Sequence, residues 1–93
     1  MSGPPQKHSL TLQGHRTSVS LEPEFWEGLR ALARVRGMAL NRLAAEIDTA
    51  RGTRGLASAL RVAVLGAALT GELPPRAPAS ATMRMGERSD RDR

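Results

Sequence analysis

Residues 9–21 alternate apolar and polar side chains, but the alternation changes phase midway: Leu10 and Leu12 fall on even positions, Val19 and Leu21 on odd ones. A single regular strand cannot do this, because side chains repeat every two residues along the pleat. A chain reversal at Gly14-His15 restores order. With Gly at the first central position of a type II′ turn, Gln13 opposes Arg16, Leu12 opposes Thr17, Thr11 opposes Ser18, Leu10 opposes Val19 and Ser9 opposes Ser20. One face then gathers Leu10, Leu12, Thr17 and Val19. The other gathers Ser9, Thr11, Gln13, Arg16, Ser18 and Ser20. A bulge within one long strand is the alternative. In either case a short sheet element with one wet face leads directly into residue 22.

From residue 22 onward the pattern is helical. Pro23 suits a first helical position, and Glu22, Glu24 and Glu27 favour the positive end of a helix dipole. Phe25, Leu29, Leu32 and Ala33 recur at i, i+4, i+7 and i+8 as an apolar stripe, with Arg30, Arg34 and Arg36 largely on the wet side. Gly37 is placed to close this helix in a left-handed cap. A second helix is expected from about Leu40 to Ala50, with Leu40, Leu43, Ala44 and Ile47 on one face, until Arg51-Gly52-Thr53-Arg54-Gly55 breaks it. A third, from about Leu56 to Leu69, is apolar nearly all round, with Ser58 and Arg61 the exceptions. Such a helix is buried against something, and a partner subunit is the expected cover. Arg61 on it needs an acidic partner, expected to be Glu46 or Asp48.

Composition narrows the classes. A chain of 93 residues has room for one domain. It divides into a disordered lead-in over residues 1–8, a folded domain over 9–70, and a flexible tail over 71–93, where prolines and charges replace apolar periodicity. One Phe and one Trp make a thin core, a first hint of dimerisation. There is no cysteine, and His8 and His15 lack spaced partners, so neither metal nor cofactor is expected. No nucleophile elbow, phosphate loop or His–carboxylate pair stands at catalytic spacing, so the chain is not read as an enzyme. Residues 1–7 carry no apolar signal segment, and the longest apolar run is shorter than the roughly 20 residues that span a bilayer. The expected location is the cytoplasm, away from any membrane. Of the 14 basic residues, 13 are Arg, and the net charge is +5. Arg suits phosphate and base edges, but these charges are scattered, and charge alone does not make a DNA binder.

Three blocks in order carry a family resemblance: Gly14-His-Arg-Thr-Ser-Val-Ser-Leu-Glu-Pro-Glu-Phe-Trp26, Gly37-Met-Ala-Leu-Asn-Arg-Leu-Ala-Ala-Glu-Ile-Asp48 and Leu56-Ala-Ser-Ala-Leu-Arg-Val-Ala-Val-Leu65. Residues 16–50 resemble a ribbon-helix-helix domain, and residues 9–69 resemble a bacterial subfamily with an added third helix. The resemblance implies a mainly α fold with a short β element: an N-terminal hairpin or strand, three helices, and an intertwined homodimer whose strands pair across a two-fold axis. It implies sequence-specific binding of double-stranded DNA, with the outward strand residues in the major groove, and a role in transcription regulation. The implied strand-face set is Arg16, Ser18 and Ser20, with Thr11 and Gln13 beside them on the hairpin. Arg16 can fork onto guanine O6 and N7, and serine hydroxyls can donate or accept. The implied phosphate contacts are Leu40, Asn41 and Arg42 at the start of the second helix, with Arg54 in the loop after it. Val19, Leu21, Leu29, Leu43, Ile47, Leu60 and Val64 are the implied dimer core.

Two features depart from the family pattern. Ala39 stands where the second helix usually has a Ser or Thr cap, which weakens that helix start by about 1 kcal/mol and removes a phosphate ligand. The extra strand would widen a dimer sheet to four strands, beyond the two-stranded ribbon that a major groove about 12 Å wide takes comfortably. The alternative function is a protein-interaction scaffold, or an antitoxin-type module, on the same dimer fold, with an unidentified protein partner.

Overall fold

A computed structural model describes residues 3–74. Strands β1 (Gln6–Leu12) and β2 (His15–Leu21) form a two-stranded antiparallel sheet, followed by helices α1 (Pro23–Val35), α2 (Leu40–Ala50) and α3 (Leu56–Leu69). The phase change is therefore a hairpin and not a bulge.

Its turn lies one residue earlier than the sequence suggests. Gln13 and Gly14 occupy the two central positions at φ 53° and 85°, the pair of positive values that a type I′ turn requires. Glycine takes the second position, where the I′ turn favours it, rather than the first position of a II′ turn. Gln13 accepts a left-handed backbone while its amide reaches the Thr49 hydroxyl at 3.4 Å. Consequently Leu12 faces His15, Thr11 faces Arg16, Leu10 faces Thr17, Ser9 faces Ser18, His8 faces Val19, Lys7 faces Ser20 and Gln6 faces Leu21. Each β2 residue thus meets a β1 residue two places earlier than expected. A shift of two preserves the faces, since the side-chain period is two.

The earlier turn also lengthens β1. Residues 6–8, expected in the lead-in, belong to the strand. The cause is not local. Trp26 on α1 donates its indole Nε1–H to the Gln6 carbonyl at 2.8 Å, and the His8 ring stands edge-on to the same indole at 4.7 Å. An indole N–H buried without an acceptor is costly, so this bond fixes the start of the strand.

The inner face of the hairpin (Leu10, Leu12, Val19 and Leu21) meets Trp26, Leu29, Leu32 and Ala33 of α1, Leu43 and Ala44 of α2, and Leu60, Val64 and Ala67 of α3 in one buried cluster. The α1 stripe is thus led by Trp26. Phe25, expected in its place, is half-buried, with the Arg61 guanidinium 5.8 Å from its ring centre. β1 contributes Leu10 and Leu12 to this core, so one chain closes it. Of the side chains the resemblance assigns to a dimer core, Val19, Leu21, Leu29, Leu43, Leu60 and Val64 are buried by their own chain, and Ile47 is half-buried.

α1 ends in a Schellman motif: Met38 N–H bonds the Ala33 carbonyl at 2.9 Å and Gly37 N–H the Arg34 carbonyl at 3.1 Å, with Gly37 at φ 66°. α3 ends the same way through Gly71, where Glu72 N–H reaches Ala67 and Gly71 N–H reaches Ala68. Arg36 joins the two ends, its Nε 2.6 Å and Nη2 3.0 Å from the Glu72 carboxylate. Leu73 packs against the core. Gly71 to Leu73 therefore belong to the domain rather than to the expected 71–93 tail, of which residues 75–93 lie outside the described residues. At the other end of the α1–α3 pair, Arg61 finds Glu22, at 2.9 Å and 3.3 Å, and not Glu46 or Asp48. Arg61 flanks the side of α3 turned toward α1, whereas Glu46 and Asp48 lie on α2. No helix among the described residues is long and apolar enough to cross a membrane.

Candidate nucleic-acid interface

With one face of the hairpin sealed in the core, period-two alternation sends the remaining side chains to the other face. Lys7, Ser9 and Thr11 from β1, and Arg16, Ser18 and Ser20 from β2, are all exposed. The register sets Lys7 beside Ser20, Ser9 beside Ser18, and Thr11 beside Arg16. The two cations thus sit at diagonal corners, four residue pairs apart, or about 14 Å along strands that rise about 3.4 Å per residue. Neither Lys7 nor Arg16 is in an ion pair with another described residue. Every uncharged member of the face is a hydroxyl, able to donate or accept.

Gln13 is not part of this face. It occupies the turn with its amide directed to Thr49. Lys7 replaces it, although it falls within the expected lead-in. Its signal is the parity it shares with Ser9 and Thr11, but only a fixed turn position connects that parity to β2.

The backbone divides with equal clarity. Leu12 and His15 flank a two-residue turn and so form a hydrogen-bonded pair. Along an antiparallel ladder, the backbone groups of Lys7, Ser9, Thr11, Arg16, Ser18 and Ser20 then point away from the partner strand. On the β1 side, Asn41 Oδ1 accepts the Thr11 N–H at 3.3 Å. On the β2 side, no hydrogen bond to Arg16, Ser18 or Ser20 forms among the described residues. That edge is where strand pairing across a two-fold axis would have to occur.

The Asn41 bond also places the start of α2 beside the Thr11–Arg16 end of the polar face. Ala39 precedes α2 in an extended conformation with no side-chain cap. The first intrahelical bond comes from Leu43 N–H to the Ala39 carbonyl at 3.0 Å. The amides of Leu40, Asn41 and Arg42 therefore lack helical acceptors, a ready anion site at the positive end of a dipole. The three side chains differ in what they add. Leu40 packs against the core, Asn41 is committed to β1, and Arg42 is exposed, 3.6 Å from Glu46. Arg54 is not brought to this cluster; it rims an open groove between α2 and α3. Among the expected residues, the fold thus unites Thr11, Arg16, Ser18 and Ser20 with the α2 start, and separates Gln13 and Arg54 from them.

Electrostatics elsewhere in the domain is structural. The hydrogen bond from Arg61 holds the Glu22 carboxyl below its ordinary pKa, and the bond from Arg36 does the same for Glu72.

A short antiparallel ribbon packed by one face on a helical core, with its polar face left open, is the architecture of ribbon-helix-helix domains. The chain belongs to the ribbon-helix-helix domain family, whose sequence profile matches residues 5–68. Domains of this family are DNA-binding modules. The match begins ahead of β1, so the first strand is part of the family domain. No curated protein and no solved structure matches the chain.

Proposed function

We propose that this chain is a homodimeric, sequence-specific DNA-binding protein, a transcriptional regulator acting in the cytoplasm, which lays the polar face of its β1–β2 hairpin in the major groove. The observation that carries this reading is the segregation of the hairpin: six exposed polar side chains, two of them cations, on one face of a two-stranded ribbon anchored by the other. Strands about 4.8 Å apart fit a groove about 12 Å wide. Arg16 is the principal base contact, as a fork onto guanine. Ser18 and Ser20, with Ser9 and Thr11 across the ribbon, supply hydroxyls to neighbouring base edges. Lys7, at the far corner, meets a phosphate. The free amides of Leu40, Asn41 and Arg42 hold a second phosphate beside Arg16 and fix the ribbon's depth.

The test is fluorescence anisotropy with DNA from upstream of the protein's own gene against a scrambled duplex, at low and near-physiological salt. Wild type should prefer its own DNA. Arg16→Ala should lose about 1–3 kcal/mol and most of that preference, the worth of one bidentate base contact. Lys7→Ala should weaken binding to both duplexes alike and flatten the salt dependence by about one counterion. Equal weak binding to both duplexes, unchanged by Arg16→Ala, would overturn the reading.

A further inference from the structure

Beside the hairpin turn lies a cleft of about 270 Å³, open to solvent, between the tip of the ribbon and the α2–α3 connection. Period-two alternation puts Leu12, His15 and Thr17 on the side of the hairpin that faces the helices. Leu12 and Leu56 give the cleft its apolar surface, while His15 and Thr17 line it from β2 and Asp48 and Arg51 from the end of α2. Asp48 and Arg51 are an ion pair, Nε to Oδ1 at 2.6 Å, and Nη1 of Arg51 also donates to the Arg54 carbonyl at 2.8 Å. That leaves Nη2 of Arg51 and Oδ2 of Asp48 without a hydrogen-bond partner among the described residues, and the His15 ring and Thr17 hydroxyl have none either. Gln13, also at the cleft, is committed to Thr49. A few unused polar groups converging on an apolar surface is the make-up of a small-molecule site.

We propose that this cleft binds a free α-amino acid with an apolar side chain, and that its occupancy tunes DNA reading by Arg16. The ammonium meets Oδ2 of Asp48, the carboxylate meets Nη2 of Arg51 with the Thr17 hydroxyl or the His15 ring, and the apolar side chain lies on Leu12 and Leu56. With His15 neutral, the lining carries one carboxylate and one guanidinium. A zwitterion answers both, whereas a simple acid or a simple amine leaves one of them facing a guest without a counter-charge. The volume falls just below the roughly 300–1,000 Å³ of pockets for drug-sized ligands, which suits a molecule as small as an amino acid. His15 and Thr17 are the neighbours of Arg16 along β2, with their side chains on the inner face and Arg16 on the outer. An occupant therefore braces the strand directly behind the proposed base contact, against the helix whose first turn offers the phosphate site. This regulatory half rests on the DNA-binding reading above, while the site itself does not.

Amide chemical-shift titration of the 15N-labelled full chain without DNA tests the site, with L-leucine, L-methionine and L-phenylalanine as probes. At least one should shift the amides of residues 12–17, 48–51 and 56 with half-saturation near 1 mM or below, a level that ordinary ligand efficiency gives about ten non-hydrogen atoms. For a leucine-type response, 4-methylpentanoate, which lacks the ammonium, and 3-methylbutylamine, which lacks the carboxylate, should each bind at least about 10-fold more weakly. Asp48→Asn should weaken amino-acid binding by about 10-fold and leave 4-methylpentanoate unaffected, and Thr17→Val should weaken it a few-fold. The spectra of the unliganded variants report whether each is folded. No shift at the cleft with any of the three up to about 20 mM overturns the proposal. So does a response that the two analogues reproduce in full, or one that Asp48→Asn leaves intact. The anisotropy assay, repeated with the amino acid that binds, should show own-gene DNA held several-fold more tightly, within the usual range of coupling between sites. Binding without any change in DNA affinity overturns the regulatory half. A chain that takes the amino acid but prefers no DNA overturns the functional reading and leaves the site standing.

Discussion

Gly28, midway along α1, faces α3 so closely that an added Cβ would sit 2.5 Å from Cγ1 of Val64 and 3.6 Å from its Cβ and Cγ2. Gly28→Ala therefore pits two effects against each other. Removing a helix-interior glycine stabilises by about 0.5–1 kcal/mol. Comfortable carbon contacts begin near 3.5 Å, so the new methyl must push Val64 or the whole helix back by about 1 Å. Val64 has little freedom to yield, because a helical valine holds essentially one rotamer. Overpacking of this kind costs about 1–3 kcal/mol. The clash wins, and the expected net loss is about 1 kcal/mol, or about 4–8 °C in Tm for a domain of this size. Val64→Ala alone should cost about 2 kcal/mol through two lost methyl groups and the space they leave. In the double variant the methyl group added at position 28 fills that space, so the combined loss should fall short of the sum by about 1–2 kcal/mol. Urea unfolding followed by circular dichroism, with m unchanged across the four proteins, measures this cycle. A stabilised Gly28→Ala with no coupling to Val64 would refute the α1–α3 packing on which the hairpin is seated.

Three further outcomes are expected. Glu22 and Glu72 have folded pKa values below the unfolded value of about 4.3, so their ion pairs stabilise fully above it and lose that contribution as the pH falls through the folded values. Thermal melts should show stability dropping over that acidic window, and Glu22→Gln with Glu72→Gln should flatten the drop. Ala39 is exposed with an extended backbone and no capping bond, so Ala39→Ser should raise stability by about 1 kcal/mol in urea unfolding. Trp26→Phe removes the donor to the Gln6 carbonyl but keeps a ring in the core. It should cost about 1–3 kcal/mol and raise amide exchange at the start of β1 more than at the helices.

The helices are legible in the sequence because their signals are local: the apolar stripe of α1, Gly37 beyond its end, and the Arg51–Gly55 break before α3. The two hairpin faces are legible as well, because they depend only on parity. The register is not, since a II′ turn needs a positive φ only at its first central residue, which glycine at position 14 would supply, whereas the I′ turn formed needs one at Gln13 as well as at Gly14. Gln13 is an uncommon residue for that position, and nothing in the local sequence marks it. Lys7 is hidden for a related reason. Residues 1–5 include Gly3, Pro4 and Pro5 and look unstructured, and what orders Gln6 is an indole N–H twenty residues later. Arg61 on an apolar helix announces the need for an acid, but which acid depends on how α3 lies against α1. Of the proposed DNA contacts, the sequence supplies Arg16, Ser18, Ser20 and Thr11, and the fold exchanges Gln13 for Lys7.

The most direct test of DNA reading by the hairpin is amide chemical-shift mapping of the 15N-labelled full chain, titrated with the duplex it prefers. The polar-face account expects the largest shifts at Lys7, Ser9, Thr11, Arg16, Ser18 and Ser20, and at the amides of Leu40, Asn41 and Arg42, with the centre of α3 little changed by DNA. Shifts concentrated around Arg51 and Arg54, with the hairpin silent, would contradict it.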